Sequence, residues 1–526
     1  SLLRYATADQ EKTVRGEVLS SSSRYAFRTA FSLKQFGDLR RGANGNDHEI
    51  SSNELVQSPT GFDGFDFDTK LITNLTNDQT ITLAYQFAKQ KEVPRYDKYH
   101  YSGYHRWVYN PQKRALSYAI YEKTGGINLF DVLRANISFH SQREGREMKK
   151  GEVSSTQKDL DNVNTQGVGV SGVKEIGHHR LVTGGELYRD RVSSKRYFVD
   201  AQSGEENSDP RGRYPDGASY QSIGLYLQDE IRINNRLLTK MGFRYSSYST
   251  EFDLTDAYGS VSPFSQTFTA GTGAVGTVLK LSRFLSLNFN VAQAFRAPNL
   301  SDMAKLGESK GDVYEVPNSG LKPERMYNTD LGLKVYSPTL RFSATVYRSD
   351  ITDILISDDA TYAGANTVMI NDKIFKVKTK RNLGEAVIRG AEFAFDYSLA
   401  DPLTFRANLT STIGENTTLN EPVGGIPPLF GLAGIRWSRG RLFFDAFVRF
   451  ASRQKRLSSD DLDDPRIPAG GTPGWFTINT RGGVTFGQSF ILQISLQNVL
   501  DRNYREHGSG MNGPGRNIIL SLQARQ

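Results

Sequence analysis

Apolar and polar residues alternate with a period of two along almost the whole chain, and this constrains the fold more than any other feature. The stretch from Tyr327 to Val346 is the cleanest case. Tyr327, Thr329, Leu331, Leu333 and Val335 share one face, and Asn328, Asp330, Gly332 and Lys334 share the other. After Ser337-Pro338-Thr339 the pattern resumes, with Leu340, Phe342, Ala344 and Val346 opposed to Arg341, Ser343 and Thr345. That is a hairpin with one apolar and one wet face. The same design recurs around Asp401-Pro402, Asn234-Asn235, Asn77-Asp78 and Gly487-Gln488.

Short turns are expected near Ser22, Asn77, Asn128, His178, Asn234, Arg283, Pro338, Asp401, Gly440 and Gln488. Long polar connections alternate with them, among them 89–113, 143–164, 190–219, 248–270, 350–387 and 453–473. Transmembrane barrels have short periplasmic turns and long extracellular loops, so the asymmetry orients the chain. About ten turns and about eleven loops predict an all-β fold, a transmembrane antiparallel β-barrel of about 22 strands. The count closes if the chain begins inside the first strand. One carboxylate breaks the pattern: Asp229 falls on the lipid side of Ile223, Leu225, Leu227, Ile231 and Ile233, where a bulge would turn it away.

Composition agrees. In 526 residues no Pro-rich, Ser/Gly-rich or single-charge tract marks a linker, so 1–526 reads as one barrel. Mean hydropathy is −0.49, and no run approaches the roughly 18 apolar residues of a membrane helix, but barrel strands average out as hydrophilic. The 25 Tyr and 30 Phe suit interface girdles. The net charge of +8 is interleaved along the chain rather than gathered in a basic run, which argues against a nucleic-acid partner. A soluble propeller is the alternative architecture, but its blades would resemble one another and these hairpins share only alternation. The expected location is the outer membrane of a Gram-negative cell, with membrane lipid and lipopolysaccharide as surroundings.

Particular segments carry a family resemblance. Ala294-Phe295-Arg296-Ala297-Pro298-Asn299 followed by Leu321-Lys322-Pro323-Glu324 resembles a TonB-dependent outer-membrane receptor. So do Tyr226-Leu227-Gln228-Asp229-Glu230, Arg389-Gly390-Ala391-Glu392, the run Gln497 to Tyr504, and Pro514-Gly515-Arg516-Asn517. Phe36-Gly37-Asp38-Leu39-Arg40, Pro94-Arg95-Tyr96-Asp97 and Asn110 to Arg114 are similar to the haemoglobin/transferrin/lactoferrin-type branch. The resemblance implies active import: loops bind a small-molecule chelate or protein-borne iron ligand, and the TonB complex pulls on a plug. That plug is expected to be missing from this chain. Val316-Pro317-Asn318-Ser319-Gly320 departs from the motif of haem receptors, no His lies between Phe295 and Glu324, and Gln526 replaces the usual terminal aromatic.

Candidate ligand contacts are few. Tyr96, Tyr99, His100, Tyr101, Tyr104 and His105, next to Arg106 and Trp107, form the densest aromatic and imidazole cluster, suited to stacking on or ligating an iron carrier. Loop packing or an interfacial aromatic belt is the competing reading. Arg453, Lys455 and Arg456 suit an anionic siderophore or lipopolysaccharide phosphates, with neutralisation by Asp460, Asp461, Asp463 and Asp464 as the alternative. A calcium loop fits that spacing poorly. His507 lies in the Gly-rich last loop, whereas His178 and His179 fall at a periplasmic turn, solvated and away from an external ligand. Arg296 reads as a loop anchor. No catalytic assembly, resident cofactor or metal set is visible. The leading function is an importer of a scarce bulky nutrient such as an iron chelate or haem-type iron source. The runner-up is a structural or partner-binding subunit of an outer-membrane assembly.

Overall fold

The computed structural model describes residues 1–525 except 46–53, 126–127, 210–211, 256–260, 310–312 and 371–372; Gln526 lies outside the described residues. The chain forms a closed antiparallel barrel of 22 strands. Ten connections at one end, at 22–24, 77–78, 125–131, 177–178, 233–236, 281–284, 337–339, 401–402, 440–441 and 487–489, coincide with the ten turns expected from the sequence. Closure joins the ends of the chain: Leu2–Ala6 pairs antiparallel with Asn517–Ala524, from Leu2 opposite Gln523 to Ala6 opposite Ile519. Each strand keeps one greasy face. Ile137, Phe243 and Leu225 are more than half exposed on the outside, where lipid covers them. The inner face carries ion pairs instead, such as Arg15 and Arg28 with Glu17 and Asp68, and Arg436 and Arg481 with Asp445.

The wall is uneven in height. Lys373–Ala400 runs for 28 residues and both Thr156–Ile176 and His179–Val199 for 21, whereas Phe490–Gln497 and Asn517–Ala524 have only 8. Several connections are therefore shorter than expected, because pairing continues above the membrane. The loop expected at 89–113 is strand up to Lys91 and again from Arg106, and the one at 143–164 is strand up to Lys149 and again from Thr156. Above the lipid both faces of a strand meet water. Alternation then fades while the hydrogen-bond ladder persists. Inside the mouth on the tall side, the short helix Leu300–Ala304 buries Met303 against Val192, Phe252, Phe268 and Leu321.

No bulge relieves Asp229. Its strand, Ser219–Arg232, pairs without a register shift on both sides. The carboxylate instead sits three residues from the periplasmic end of the strand, and its Oδ2 lies 2.7 Å from His179 Nδ1. His179 is thus engaged on the outer wall rather than simply solvated. A charge near an interface with a partner is tolerable where one at the midplane is not.

Candidate functional site

Over the low side of the barrel the extracellular loops pack into one assembly around Arg505. This guanidinium is 3% exposed, although it belongs to a surface loop. Its Nη1 donates to the Tyr101 hydroxyl at 2.6 Å and to the Arg466 carbonyl at 3.2 Å, and its Nε donates to Asn512 Oδ1 at 2.8 Å. Asn512 is held in turn by Gln57, whose amide accepts from the Asn512 backbone N–H at 2.7 Å and donates to its carbonyl at 3.1 Å. Four loops far apart in sequence meet here. A buried cation with three oxygen partners is costly to disassemble, so the assembly is a rigid platform rather than a set of separate loops.

The aromatic cluster divides into engaged and accessible members. Tyr96 is buried in the helix Tyr96–Ser102 and stacks on His100, with ring centroids 5.5 Å apart and planes 8° apart. His100 meets Tyr101 edge-on at 4.7 Å. Tyr104 lies under the Lys150 ammonium at 5.9 Å, and Trp107 is buried under Arg95. Arg95 and Asp97 pair through two hydrogen bonds at the start of the helix. Tyr99 is half-buried and His105 exposed, and neither shows a side-chain hydrogen bond among the described residues. His105 donates its backbone N–H to the carbonyls of Lys149 at 2.9 Å and Lys150 at 3.2 Å.

His507 joins the same assembly, its Nδ1 2.9 Å from Thr472 Oγ1, while its Nε2 is buried with no hydrogen-bond partner among the described residues. Burial pushes the His100 pKa down, reinforced by the Arg505 charge; burial also pushes His507 down, partly offset by Asp461 and Asp464. Both imidazoles therefore favour the neutral form, and His507, with Nδ1 on Thr472 and Nε2 buried, belongs to the packing of the platform.

The basic cluster adjoins the platform through the Gln454 N–H to the Thr472 carbonyl at 3.0 Å, and lies at the rim by Leu403–Asn416. Arg453, Lys455 and Arg456 line a cavity of about 220 Å³ together with Ile413, Pro427 and Leu429. Arg456 pairs with Glu415, and Arg453 donates to the Gly470 carbonyl at 2.9 Å. Among the described residues none of the four aspartates forms an ion pair with them. Asp461 caps the helix Ser459–Leu462 in a reciprocal pair with Ser458, and Asp464 takes Arg466 at 2.7 Å. Lys455 shows no ion pair among the described residues.

The sequence motifs act as clamps. Arg296 pairs with Glu324 and, at 2.8 Å, with Asp302, so the two halves of the 294–324 motif are tied directly. Asn498 has φ 48° and its amide donates to the carbonyls of Arg502 at 2.8 Å and Pro514 at 2.9 Å, joining the 497–504 run to the segment that leads into the last strand. Arg505, Gln57 and Asn512 had no place among the sequence candidates. Arg505 directly follows the aromatic that ends the 497–504 motif, which is the one local signal that could have found it.

Comparisons agree with this architecture. Residues 7–499 match the family described as TonB dependent receptor-like, beta-barrel. The chain is 24% identical to heme/hemopexin utilization protein C of Haemophilus influenzae (strain 86-028NP), over 69% of this chain and 51% of that protein, so it spans about half that relative's length. It is 22% identical to the ferric enterobactin receptor of Pseudomonas aeruginosa, over 93% of this chain and 69% of the receptor. Among solved structures, copper transporter OprC superimposes with a TM-score of 0.81 at 16% identity, covering 100% of this chain and 82% of that one. The FrpB iron transporter from Neisseria meningitidis (F3-3 variant) gives 0.73 at 13% identity, covering 99% and 80%. At such identities the likeness establishes the fold. The closed barrel with its short-turn and long-loop ends, and a match spanning most of its strands, make this chain a member of the TonB-dependent receptor β-barrel family of the Gram-negative outer membrane.

Proposed function

We propose that this barrel belongs to an importer of an iron chelate or haem-type iron source, driven by the TonB complex through a plug. The observation that carries the reading is the loop platform itself: an extracellular surface in which Arg505 and the stacked rings of Tyr96, His100 and Tyr101 fix the loop that carries Tyr99 and the exposed His105. Rigid aromatics and neutral imidazole suit a flat, metal-bearing ligand, and a preorganised site loses less freedom on binding. The names of the Haemophilus and Pseudomonas relatives, for haem/hemopexin and ferric enterobactin, support the same class of cargo. Lys455 is the additional contact for an anionic chelate.

The test is uptake in cells carrying the full-length gene. Deleting the gene should abolish growth on one haem or siderophore source under iron limitation, and deleting the TonB complex should have the same effect. If neither deletion changes iron-limited growth on any source, import fails and a structural or partner-binding role takes its place.

A further inference from the structure

On the outer wall, Lys89 stands directly opposite Lys113, and Lys113 directly opposite Arg143. All three point outward. Lys89 shares a face with exposed Leu83 and Tyr85, and Arg143 with exposed Ile137 and Phe139. Directly opposed side chains have Cβ atoms about 5 Å apart, and like charges so placed repel. Among the described residues no carboxylate stands directly opposite any of these three cations. Lys89, Lys113 and Arg143 form no ion pair among the described residues, and the carboxylates above them, Glu92 and Glu147, are both held by Arg106 at 2.7 and 2.9 Å. Lys91 is next along the Lys89 face and has Asp63 opposite it. Beyond Arg143 the outward neighbours are neutral or cationic: Asn162 lies opposite Arg143, Arg191 opposite Asn164, and Lys195 opposite Leu160.

The height of the row identifies what can neutralise it. Lys89 lies ten residues from Gln79 at the periplasmic turn, about 33 Å of strand at roughly 3.3 Å per residue. A tilt of about 40° converts this to about 25 Å, the height of the apolar band of an outer-membrane barrel. Phe65 stands directly opposite Lys89, and an aromatic girdle continues below it, with Phe65 against Phe87 at 6.1 Å and Phe67 against Tyr85 at 6.2 Å. The cations therefore stand at the level of the outer-leaflet headgroups, above rings that pack on acyl chains.

We propose that Lys89, Lys113 and Arg143 bind the phosphate groups of the phosphorylated glycolipid of the outer leaflet, lipopolysaccharide. A phosphate bridging adjacent cations removes their repulsion, and the acyl chains continue down the girdle. The site rests on the placement of the barrel in the outer membrane and not on its cargo.

The test is native mass spectrometry of the full-length protein extracted from outer membranes in mild detergent, followed by titration with defined lipids. The Lys89→Gln/Lys113→Gln/Arg143→Gln variant should bind bisphosphorylated lipid A about a hundredfold more weakly, the scale expected for three interfacial cations. Dephosphorylated lipid A should bind the unaltered protein with a similar loss, while Lys113→Arg should retain full binding. Heat-modifiable migration on gels reports that each barrel is folded. If the triple variant does not fold, Asn162→Glu keeps all three cations and places a carboxylate opposite Arg143; it should also weaken binding. Undiminished binding by the folded triple variant, or by Asn162→Glu in its place, overturns the site. Equal affinity for phosphatidylglycerol or for dephosphorylated lipid A, or complete displacement by millimolar inorganic phosphate, also overturns it.

Discussion

Arg505 and Tyr101, 404 positions apart in sequence, are joined by a 2.6 Å hydrogen bond from guanidinium to phenol at the centre of the loop platform. Arg505→Ala would leave Asn512 Oδ1, the Arg466 carbonyl and the Tyr101 hydroxyl to find new partners in a nearly dry site. Each lost bond to a buried charge is worth about 1.5 to 3 kcal/mol, so several loops should loosen together rather than one. Hydrogen exchange should rise at 96–102, 464–472 and 505–513 while the strands stay protected. Faster exchange confined to 505–513 would contradict the role of Arg505 as the hub.

Acid should loosen the same platform. His100 and His507 have pKa values below the ordinary imidazole range, chiefly through burial, so the folded state binds fewer protons than the unfolded one as pH falls below about 6.5. Above that pH both residues are neutral in both states and contribute no pH dependence. Below it, stability of the loop assembly should decline until the depressed folded-state pKa values are passed, and then level off. Exchange rates in the three loops, followed from pH 7.5 to 5, should show this drop, and His100→Gln with His507→Gln should flatten it. An unchanged profile in the double variant would assign the acid response to other groups.

The outer wall offers a test of paired charge in lipid. His179→Leu leaves the Asp229 carboxylate without its 2.7 Å partner, and Asp229 Oδ1 is already buried with no hydrogen bond. The single variant should lower the barrel's thermal stability by about 1 to 2 kcal/mol, a small figure because the pair is near the interface and partly exposed. The double variant His179→Leu/Asp229→Leu should recover most of the loss, since two apolar side chains belong on that face. Unfolding followed by heat-modifiable migration in lipid measures both, and a double variant as weak as the single one would refute pairing as the reason for the tolerance.

Alternation made the barrel legible because lipid on one side and water on the other impose a period of two on every crossing strand. The ten turns were legible for the same reason, each lying where the apolar face stops abruptly. Above the membrane that contrast vanishes, and the strand extensions at 89–91, 106–113 and 143–149 read as loop. The opposed cations Lys89, Lys113 and Arg143 were hidden with them, since register rather than composition makes them neighbours. The platform was half legible. Tyr96 to Trp107 stood out by density, but its anchors Gln57, Arg505 and Asn512 come from segments with no periodicity to place them. The basic cluster at 453–456 was read with the aspartates next to it in sequence, whereas Arg456 found Glu415 on a strand 41 positions away.

The division of the aromatic cluster leads to a separable effect on cargo. Tyr99 and His105 take no side-chain hydrogen bond in the platform, so Tyr99→Ala/His105→Ala should leave loop exchange and barrel stability nearly unchanged. If they contact the ligand, affinity for the imported chelate should fall about tenfold or more, on the scale of losing a contact aromatic and an imidazole from a recognition surface. Tyr101→Phe should do the reverse. It removes the hydroxyl that accepts from Arg505 while keeping the ring against His100, so loops should loosen with little direct effect on contact area. Isothermal titration with the chelate identified by uptake, alongside hydrogen exchange on both variants, separates the two effects. Equal loss of affinity with equal loosening in both would place Tyr99 and His105 in the packing rather than at the ligand.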